Sequence, residues 1–408
     1  MSDETTDGVG GFEHLLSEVA RNVPTQSPYA SVTSIDRAGV VDLSFGLPAP
    51  SLLPIEGLSS AMTTVIETDA EEALQYGGGR YADLLPNIVH EHLANRGIDV
   101  DDLEITNGSS HALDGVCRTF IEPGDSVAVG IPTFTGVLQV FGNHGADIVP
   151  VPVDEDGLDV AALERLIDER EYAGKPVPKL VFVIPNFQNP TGATLSVSRR
   201  QRLLSLAQRV GCLVVEDDVY GDLRYEGETP PTLTGIDEND RSLHIGSFSK
   251  TVAPGVSTGW IAGPEGLVSR IRPMLSPGTP LLTRSILAAY SEDGQLERRL
   301  TLVRESYRAR RDRMLRALDR HLPPEASWIR PSGGFFVWIQ LPDAIDTTPL
   351  LERAVENGVV YLPGAMFHPD DSPRSTLRLS FSYVDRQDID HGVAALGETI
   401  RLALDTDA

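Results

Sequence analysis

Lys250 stands in the stretch Ile-Gly-Ser-Phe-Ser-Lys-Thr-Val-Ala-Pro-Gly-Val-Ser-Thr-Gly-Trp, residues 245–260. It is one of three lysines against 31 arginines, and the other two, Lys175 and Lys179, share the polar stretch Ala-Gly-Lys-Pro-Val-Pro-Lys. Arginine stays protonated, whereas a partly desolvated lysine amine can lose its proton and condense with a carbonyl as a Schiff base. A lone lysine in a Gly/Ser-rich loop is more often an ordinary surface charge, so the weight rests on what accompanies it.

Its companions follow short apolar runs. Thr106 is followed by Asn107-Gly108-Ser109-Ser110, a glycine turn into a helix whose free N–H groups suit an anion such as phosphate. Any N-cap looks similar, so this signal is weak alone. Pro132-Thr133-Phe134 places an aromatic ring after Ile131, and Pro185-Asn186-Phe187-Gln188-Asn189-Pro190-Thr191-Gly192 leaves the Asn189 amide free to meet a ligand oxygen. Asp217-Asp218-Val219-Tyr220 emerges from a buried run, where an unpartnered carboxylate is expensive to desolvate. Ser247, Ser249 and Lys250 follow the run at 243–245.

The elements that must position these residues alternate. Apolar runs at 103–106, 126–131, 148–151, 180–184, 213–216, 243–245 and 260–262 read as strands, with helical periodicity at 109–121, 134–144, 159–170 and 197–209. This α/β alternation predicts a large domain with a mostly parallel seven-stranded sheet flanked by helices, binding ligands at the carboxyl ends of its strands. Residues 12–36 read as a partly polar helical arm ending around Pro24 to Pro28, and 40–48 as a short strand running into a Gly/Pro turn. A helix at 56–67 precedes the glycine loop Tyr76-Gly77-Gly78-Gly79, whose plain reading is a solvent-exposed hinge. A long helical stretch, 281–321, leads to a smaller α+β unit with strands at 335–341 and 376–381 and helices at 347–356 and 385–404. The expected domains are 1–50 (arm and part of the small domain), 51–300 (large) and 301–408 (small).

The 408 residues are 41% hydrophobic, enough for a large and a small core. The acidic opening is unlike a signal peptide, and no apolar run reaches the roughly 18 residues of a membrane span, so a cytoplasmic protein without membrane partners is expected. Cys117 and Cys212 read as small buried hydrophobes, and no metal site is expected. A net charge of -25 spread along the chain argues against a nucleic-acid partner. With lysine scarce, it suggests a surface suited to high salt.

The ordered set Asn189 to Gly192, Asp217-x-x-Tyr220, Ser247-x-Ser249-Lys250 and Leu377-Arg378-Leu379-Ser380 resembles the pyridoxal-phosphate-dependent class I/II aminotransferases of fold type I, from about residue 40 to the C-terminus. Phe187-Gln188-Asn189-Pro190 and Ser-Lys-Thr-Val-Ala-Pro-Gly look most like the aminoadipate and kynurenine aminotransferase branch, which includes the catalytic-like half of some transcription regulators. The resemblance implies pyridoxal 5'-phosphate as cofactor, held as a Schiff base on Lys250, which then moves the substrate proton. Asp217 is expected at the pyridine nitrogen, keeping it protonated, with Tyr220 and Asn189 at the ring hydroxyl and Phe134 on the ring face. Ser109, Ser110, Ser247 and Ser249 are expected around the phosphate, and Arg378 as the substrate carboxylate clamp. Gly46 lets substrate approach the backbone, Asn189 also faces the substrate, and Tyr76 reaches the phosphate of a neighbouring subunit in a homodimer with a shared site.

The sequence departs from the family where an arginine phosphate ligand is usual: Ser257 and Thr258 stand there, leaving Arg284 and His111 as candidate substitutes. Ser109-Ser110-His111 replaces the frequent Ser-Gln-Gln, and Leu85 falls where an arginine is common. Transamination from an L-amino acid to a 2-oxo acid, 2-oxoglutarate foremost, is the leading expectation. A lyase or decarboxylase on the same scaffold would yield no new amino acid from an added oxo acid. A non-catalytic effector domain fits poorly with the acidic charge and with no helix-turn-helix ahead of residue 40. Donor selectivity falls to the arm, the loop 76–81 and Leu281 and Leu282, with apolar, aromatic or aminoadipate-like donors expected.

Overall fold

The seven apolar runs become strands Asp102–Thr106, Ser126–Ile131, Asp147–Asp154, Leu180–Val183, Leu213–Asp217, Ser242–Ser247 and Gly259–Gly263. The computed structural model describes residues 13–22, 29–369 and 374–406. Leu180–Val183 and Ser242–Ser247 are buried at every position, as strands covered on both faces must be. The sheet has eight strands rather than the expected seven. The eighth, Gly157–Leu158, folds back antiparallel on Val153 and Asp154. At two residues it is too short to leave an alternation in the sequence, and Gly157, at φ +88°, marks its turn.

In space the order is Asp102–Thr106, Gly259–Gly263, Ser242–Ser247, Leu213–Asp217, Leu180–Val183, Ser126–Ile131, Asp147–Asp154, Gly157–Leu158. The pairs linking Ser242–Ser247 through to Asp147–Asp154 are parallel, while Gly259–Gly263 runs antiparallel to both neighbours. The chain leaves Ser126–Ile131 for a neighbour on one side and returns to pair on its other side, a topological switch point beside which ligands collect. Helices Gly108–Phe120, Thr135–Asn143, Val160–Tyr172 and Val197–Val210 make the crossovers. Asp159 caps the third by accepting from the N–H groups of Ala161 and Ala162.

The expected long helix at 281–321 is two, Leu281–Ser291 and Gln295–His321, separated by a 3-10 turn at Glu292–Gly294. Gly294, at φ +71°, closes that turn and caps the start of the second helix in a conformation that favours glycine. The expected domain border at 300 lies inside the second of these helices. Beyond it, Ser327–Trp328, Phe336–Gln340, Thr376–Ser380 and Leu362–Pro363 form an antiparallel sheet in that order. Val41–Asp42 pairs in parallel with Val359–Val360, so the segment before the large domain joins the C-terminal unit. The arm comprises a 3-10 turn at Glu13–Leu15 and helices Glu18–Asn22 and Ala30–Thr33, and its expected end at Pro24 to Pro28 lies outside the described residues.

Many arginines answer the acid excess in exposed pairs, such as Arg272 with Asp102 and Glu104. Each such pair contributes little, and 59 acids outnumber 34 bases. Screening of the residual repulsion is expected to raise the melting temperature by several degrees between about 0.1 M and about 2 M salt. A melting temperature that is flat across that range in a thermal scan would refute this.

Candidate active site

A cavity of about 360 Å³ opens at the carboxyl ends of the strands. It is lined by eleven of the twelve site residues picked out in the sequence: Gly46, Ser109, Ser110, Phe134, Asn189, Asp217, Tyr220, Ser247, Ser249, Lys250 and Arg378. Tyr76, the twelfth, lies outside it, 98% exposed on the loop after residue 75.

Lys250 follows the strand Ser242–Ser247, and its Nζ donates to the Gly46 carbonyl oxygen at 3.4 Å. Burial, reinforced by the Arg378 charge, lowers its pKa to about 8 against the opposing pull of Asp217. The three successive acids of the neighbouring strand end have different fates. Glu216 is fully buried and accepts from the Leu233 and Thr234 N–H groups at 2.9 and 3.0 Å. Burial alone would raise its pKa, but bonds from His244 and the backbone hold it down at about 2. Asp218 accepts from Asn186 Nδ2 at 2.6 Å and pairs with Arg96. Between them Asp217 Oδ1 is buried with no hydrogen-bond partner among the described residues. Burial, then the charge of Asp218, pushes its pKa up to about 7.

The Asn189 turn is held by Gln188. The Gln188 side-chain oxygen accepts from Thr191 N and Oγ1 at 2.9 and 2.7 Å, and its Nε2 donates to the Pro132 carbonyl at 2.6 Å. Arg200, fully buried, donates to the Pro185 carbonyl and Asn186 Oδ1, both at 2.9 Å. Asn189 Oδ1 accepts from Arg378 Nη1 at 2.8 Å, and the Asn189 side chain also bonds to Tyr220. Burial raises the Tyr220 pKa, with the Arg378 charge opposing.

Arg378 sits on Thr376–Ser380, opposite Trp338 and Leu362, and is only 4% exposed. Its Nη2 donates to the Ser44 carbonyl at 2.6 Å, its guanidinium lies 4.1 Å from the Phe336 ring centre, and its Nε is buried without a partner among the described residues. Burial lowers its pKa to about 10, so it remains a cation at neutral pH.

Sequence reasoning missed Arg96, Asn186, Arg200 and His244, the partners of the acids and of the loop that carries Asn189. Asn186 stood beside the singled-out turn, whereas Arg96, at the end of helix Arg80–Asn95, and Arg200, on helix Val197–Val210, left no local signal. The candidate substitutes for the phosphate arginine do not line the cavity. Arg284 Nη2 donates to the Ala82 carbonyl at 3.1 Å, and His111 Nδ1 accepts from the Asn107 N–H at 3.0 Å.

Gly46 has a packing reason: a Cβ there would lie 2.4 Å from the Phe336 ring. Gly46→Ala must therefore displace the ring on which Arg378 rests. It is expected to cost about 1–3 kcal/mol of stability and to raise KM for the amino acid by roughly tenfold. Chemical denaturation and initial rates check both, and unchanged values would mean that Phe336 moves freely.

Pyridoxal phosphate presents a ring nitrogen, a phenolic oxygen, an aldehyde, an aromatic face and a phosphate, and the cavity answers each. Asp217 Oδ1, without a partner among the described residues, suits the protonated nitrogen, Asn189 and Tyr220 the phenolic oxygen, and the Lys250 amine the aldehyde. Phe134 supplies the aromatic wall: a Cβ at Gly136 would meet its ring at 2.6 Å, so the glycine leaves room for it. The serines stand beside the start of helix Gly108–Phe120 and suit the phosphate. The fold and this cavity define a fold type I pyridoxal-phosphate enzyme.

Residues 55–396 match the family described as aminotransferase class I and II. The chain is 37% identical over 396 residues to aromatic-amino-acid aminotransferase 1 of Thermococcus litoralis, covering 96% of this chain and 95% of that protein. It is similar to the crystal structure of Pyrococcus horikoshii kynurenine aminotransferase in complex with PMP, at TM-score 0.92 and 35% identity, covering 97% and 99% of the two chains. The α-aminoadipate aminotransferase LysN of Thermus thermophilus, complexed with N-(5'-phosphopyridoxyl)-L-leucine, gives TM-score 0.86 and 31% identity over 97% of this chain and 99% of that one. The chain belongs to the class I and II aminotransferases and is a pyridoxal-phosphate-dependent transaminase.

Proposed function

We propose that this transaminase takes apolar and aromatic L-amino acids as donors and 2-oxoglutarate as acceptor. The observation that carries this is the lining of the cavity beyond Lys250: Tyr29, Val32, Phe45, Leu47, Phe336 and Leu362. Among the described lining residues Arg378 and Lys250 are the cations, so a donor's α-carboxylate takes the one guanidinium and its side chain meets apolar walls. Tyr29 and Thr33 offer the hydroxyls that a distal carboxylate of the acceptor would meet. The arm that carries them is fixed at two points. Thr135 Oγ1 donates to the Tyr29 hydroxyl at 2.6 Å, and Arg37 donates to the carbonyls of Val32 and Ile35 at 2.9 and 3.0 Å.

The residue roles in this reading are as follows. The cofactor supplies an electron-withdrawing ring that stabilises negative charge at the substrate α-carbon. Lys250 holds the cofactor, then carries the α-proton as a base whose lowered pKa suits neutral operation. Asp217 keeps the ring nitrogen protonated, Asn189 and Tyr220 orient the phenolic oxygen, and Arg378 clamps the α-carboxylate through paired hydrogen bonds. The enzyme works as a homodimer, with Tyr76 reaching the partner's phosphate. Its near-complete exposure here, with Leu74, Met62, Ile66 and Ile55 also exposed nearby in sequence, supports such a contact.

The test is a screen of purified holoenzyme with 2-oxoglutarate against leucine, phenylalanine, tyrosine, kynurenine, aminoadipate and aspartate, reading glutamate formed. kcat/KM for the apolar and aromatic donors is expected to exceed that for aspartate by at least about 100-fold, since an unpaired carboxylate against apolar walls is costly. A preference for aspartate would refute the assignment.

A further inference from the structure

The end of the cavity that suits the phosphate is built from hydroxyls and backbone N–H groups. Ser109 and Ser110 open helix Gly108–Phe120, whose N-cap residue Asn107 makes no side-chain cap bond, so the first-turn N–H groups remain available. Ser247 Oγ donates to Ser249 Oγ at 3.0 Å and accepts from the Ser249 N–H at 3.1 Å. The loop after Lys250 closes on the same turn. Ser257 Oγ lies 3.9 Å from where a Cβ on Gly108 would be, and a Cβ on Gly259 would lie 3.2 Å from Ser109 N.

The two cations that line this cavity bond to groups other than its serines: Lys250 reaches the Gly46 carbonyl, and Arg378 reaches Asn189 and Ser44. Asp217 adds a carboxylate, not a cation. Tyr220 is neutral, its pKa raised by burial, and the Tyr29 hydroxyl accepts from Thr135 Oγ1. His111, one turn position on, accepts from Asn107 N, and burial lowers its pKa so that it too is neutral above its ordinary range. Arg284 is turned to the Ala82 carbonyl. A phenol contributed by Tyr76 of a second copy would add another neutral donor.

We infer that in this chain the cofactor's phosphate is held by neutral donors alone, so that its second proton is exchanged in the neutral pH range while the cofactor stays bound. The second pKa of a phosphate monoester is about 6. A guanidinium in contact would favour the dianion and pull that value down; backbone N–H groups pull the same way more weakly, while hydroxyls can donate to the dianion and also accept from the monoanion's P–OH. The helix N-terminus contributes only about half a charge. The excess of acids, -25 overall, acts in the opposite direction and keeps the proton on.

The test is phosphorus NMR of the holoenzyme, with loading confirmed beforehand by the visible absorbance of the bound cofactor. The bound resonance is expected to move between about pH 5.5 and 8.5, with a midpoint at or above about 6. Ser257→Arg, which sets a guanidinium beside Gly108, is expected to flatten that curve and to slow cofactor release by roughly tenfold or more. Position 257 sits at φ +43°, which disfavours any side chain, so the wild-type titration decides even if this variant folds poorly. A wild-type resonance that is flat across the range overturns the inference, because a cation from a second copy would then complete the cradle. A folded Ser257→Arg protein with an unaltered curve and release rate overturns it as well.

Discussion

Lys250→Arg is expected to lower kcat by about 10⁴-fold or more while leaving the circular dichroism spectrum unchanged. The two side chains carry the same charge, so the loss isolates what an amine does that a guanidinium cannot. In the folded chain the amine is buried beside Arg378, and its pKa falls from 10.5 to about 8. A substantial neutral fraction is therefore present near pH 7.5, and it rises with pH. Loading of the apoenzyme with cofactor, followed by visible absorbance, is expected to quicken as pH rises toward 8 and to level off above it, because only the neutral amine attacks an aldehyde. Lys250→Ala should be partly rescued by small added amines, which restore a base in the vacated space. Arginine at 250 with more than about 1% of wild-type turnover would remove Lys250 from the chemistry.

The strand ends were legible because each closes a buried apolar run with a residue that does not belong in a core. Asp217, Asn189 and Lys250 could thus be read from the sequence, and they line one cavity. The order of the strands was not legible, since Ser126–Ile131 gains neighbours from both sides only through crossovers whose direction no local pattern records. The eighth strand, Gly157–Leu158, is shorter than any period it might display. Arg96 and Arg200 were invisible for a related reason. A guanidinium on a helix normally signals solvent, and only the packing shows that Arg200 is enclosed and bonded to Pro185 and Asn186. Gly46 was singled out for substrate access, yet the ring of Phe336 against it is a long-range contact that a sequence motif cannot express.

Asp217→Asn is expected to reduce kcat by about 10³-fold, the scale for removing one preorganised charge partner, and at the same time to stabilise the apoenzyme. The two effects have one cause. Asp217 Oδ1 has no partner among the described residues, and burial with the adjacent Asp218 charge raises the pKa from 3.8 to about 7. Between those two values the folded chain holds a proton that the unfolded chain has released, so this group's contribution to stability falls as pH rises through that window. Above about pH 7 the penalty is complete, at most about 4 kcal/mol, and asparagine does not incur it. The apo variant is therefore expected to melt above apo wild type at pH 8 and to approach it near pH 4. In the proposed reading bound cofactor would reverse the comparison, since the ionised Asp217 would then have a protonated ring nitrogen as the partner its Oδ1 lacks. Cofactor should accordingly raise the melting temperature of wild type more than that of the variant. Superimposable stability curves for the two apo proteins from pH 4 to 8, or a variant of near-wild-type turnover, would show that Asp217 is neither strained when empty nor needed when loaded.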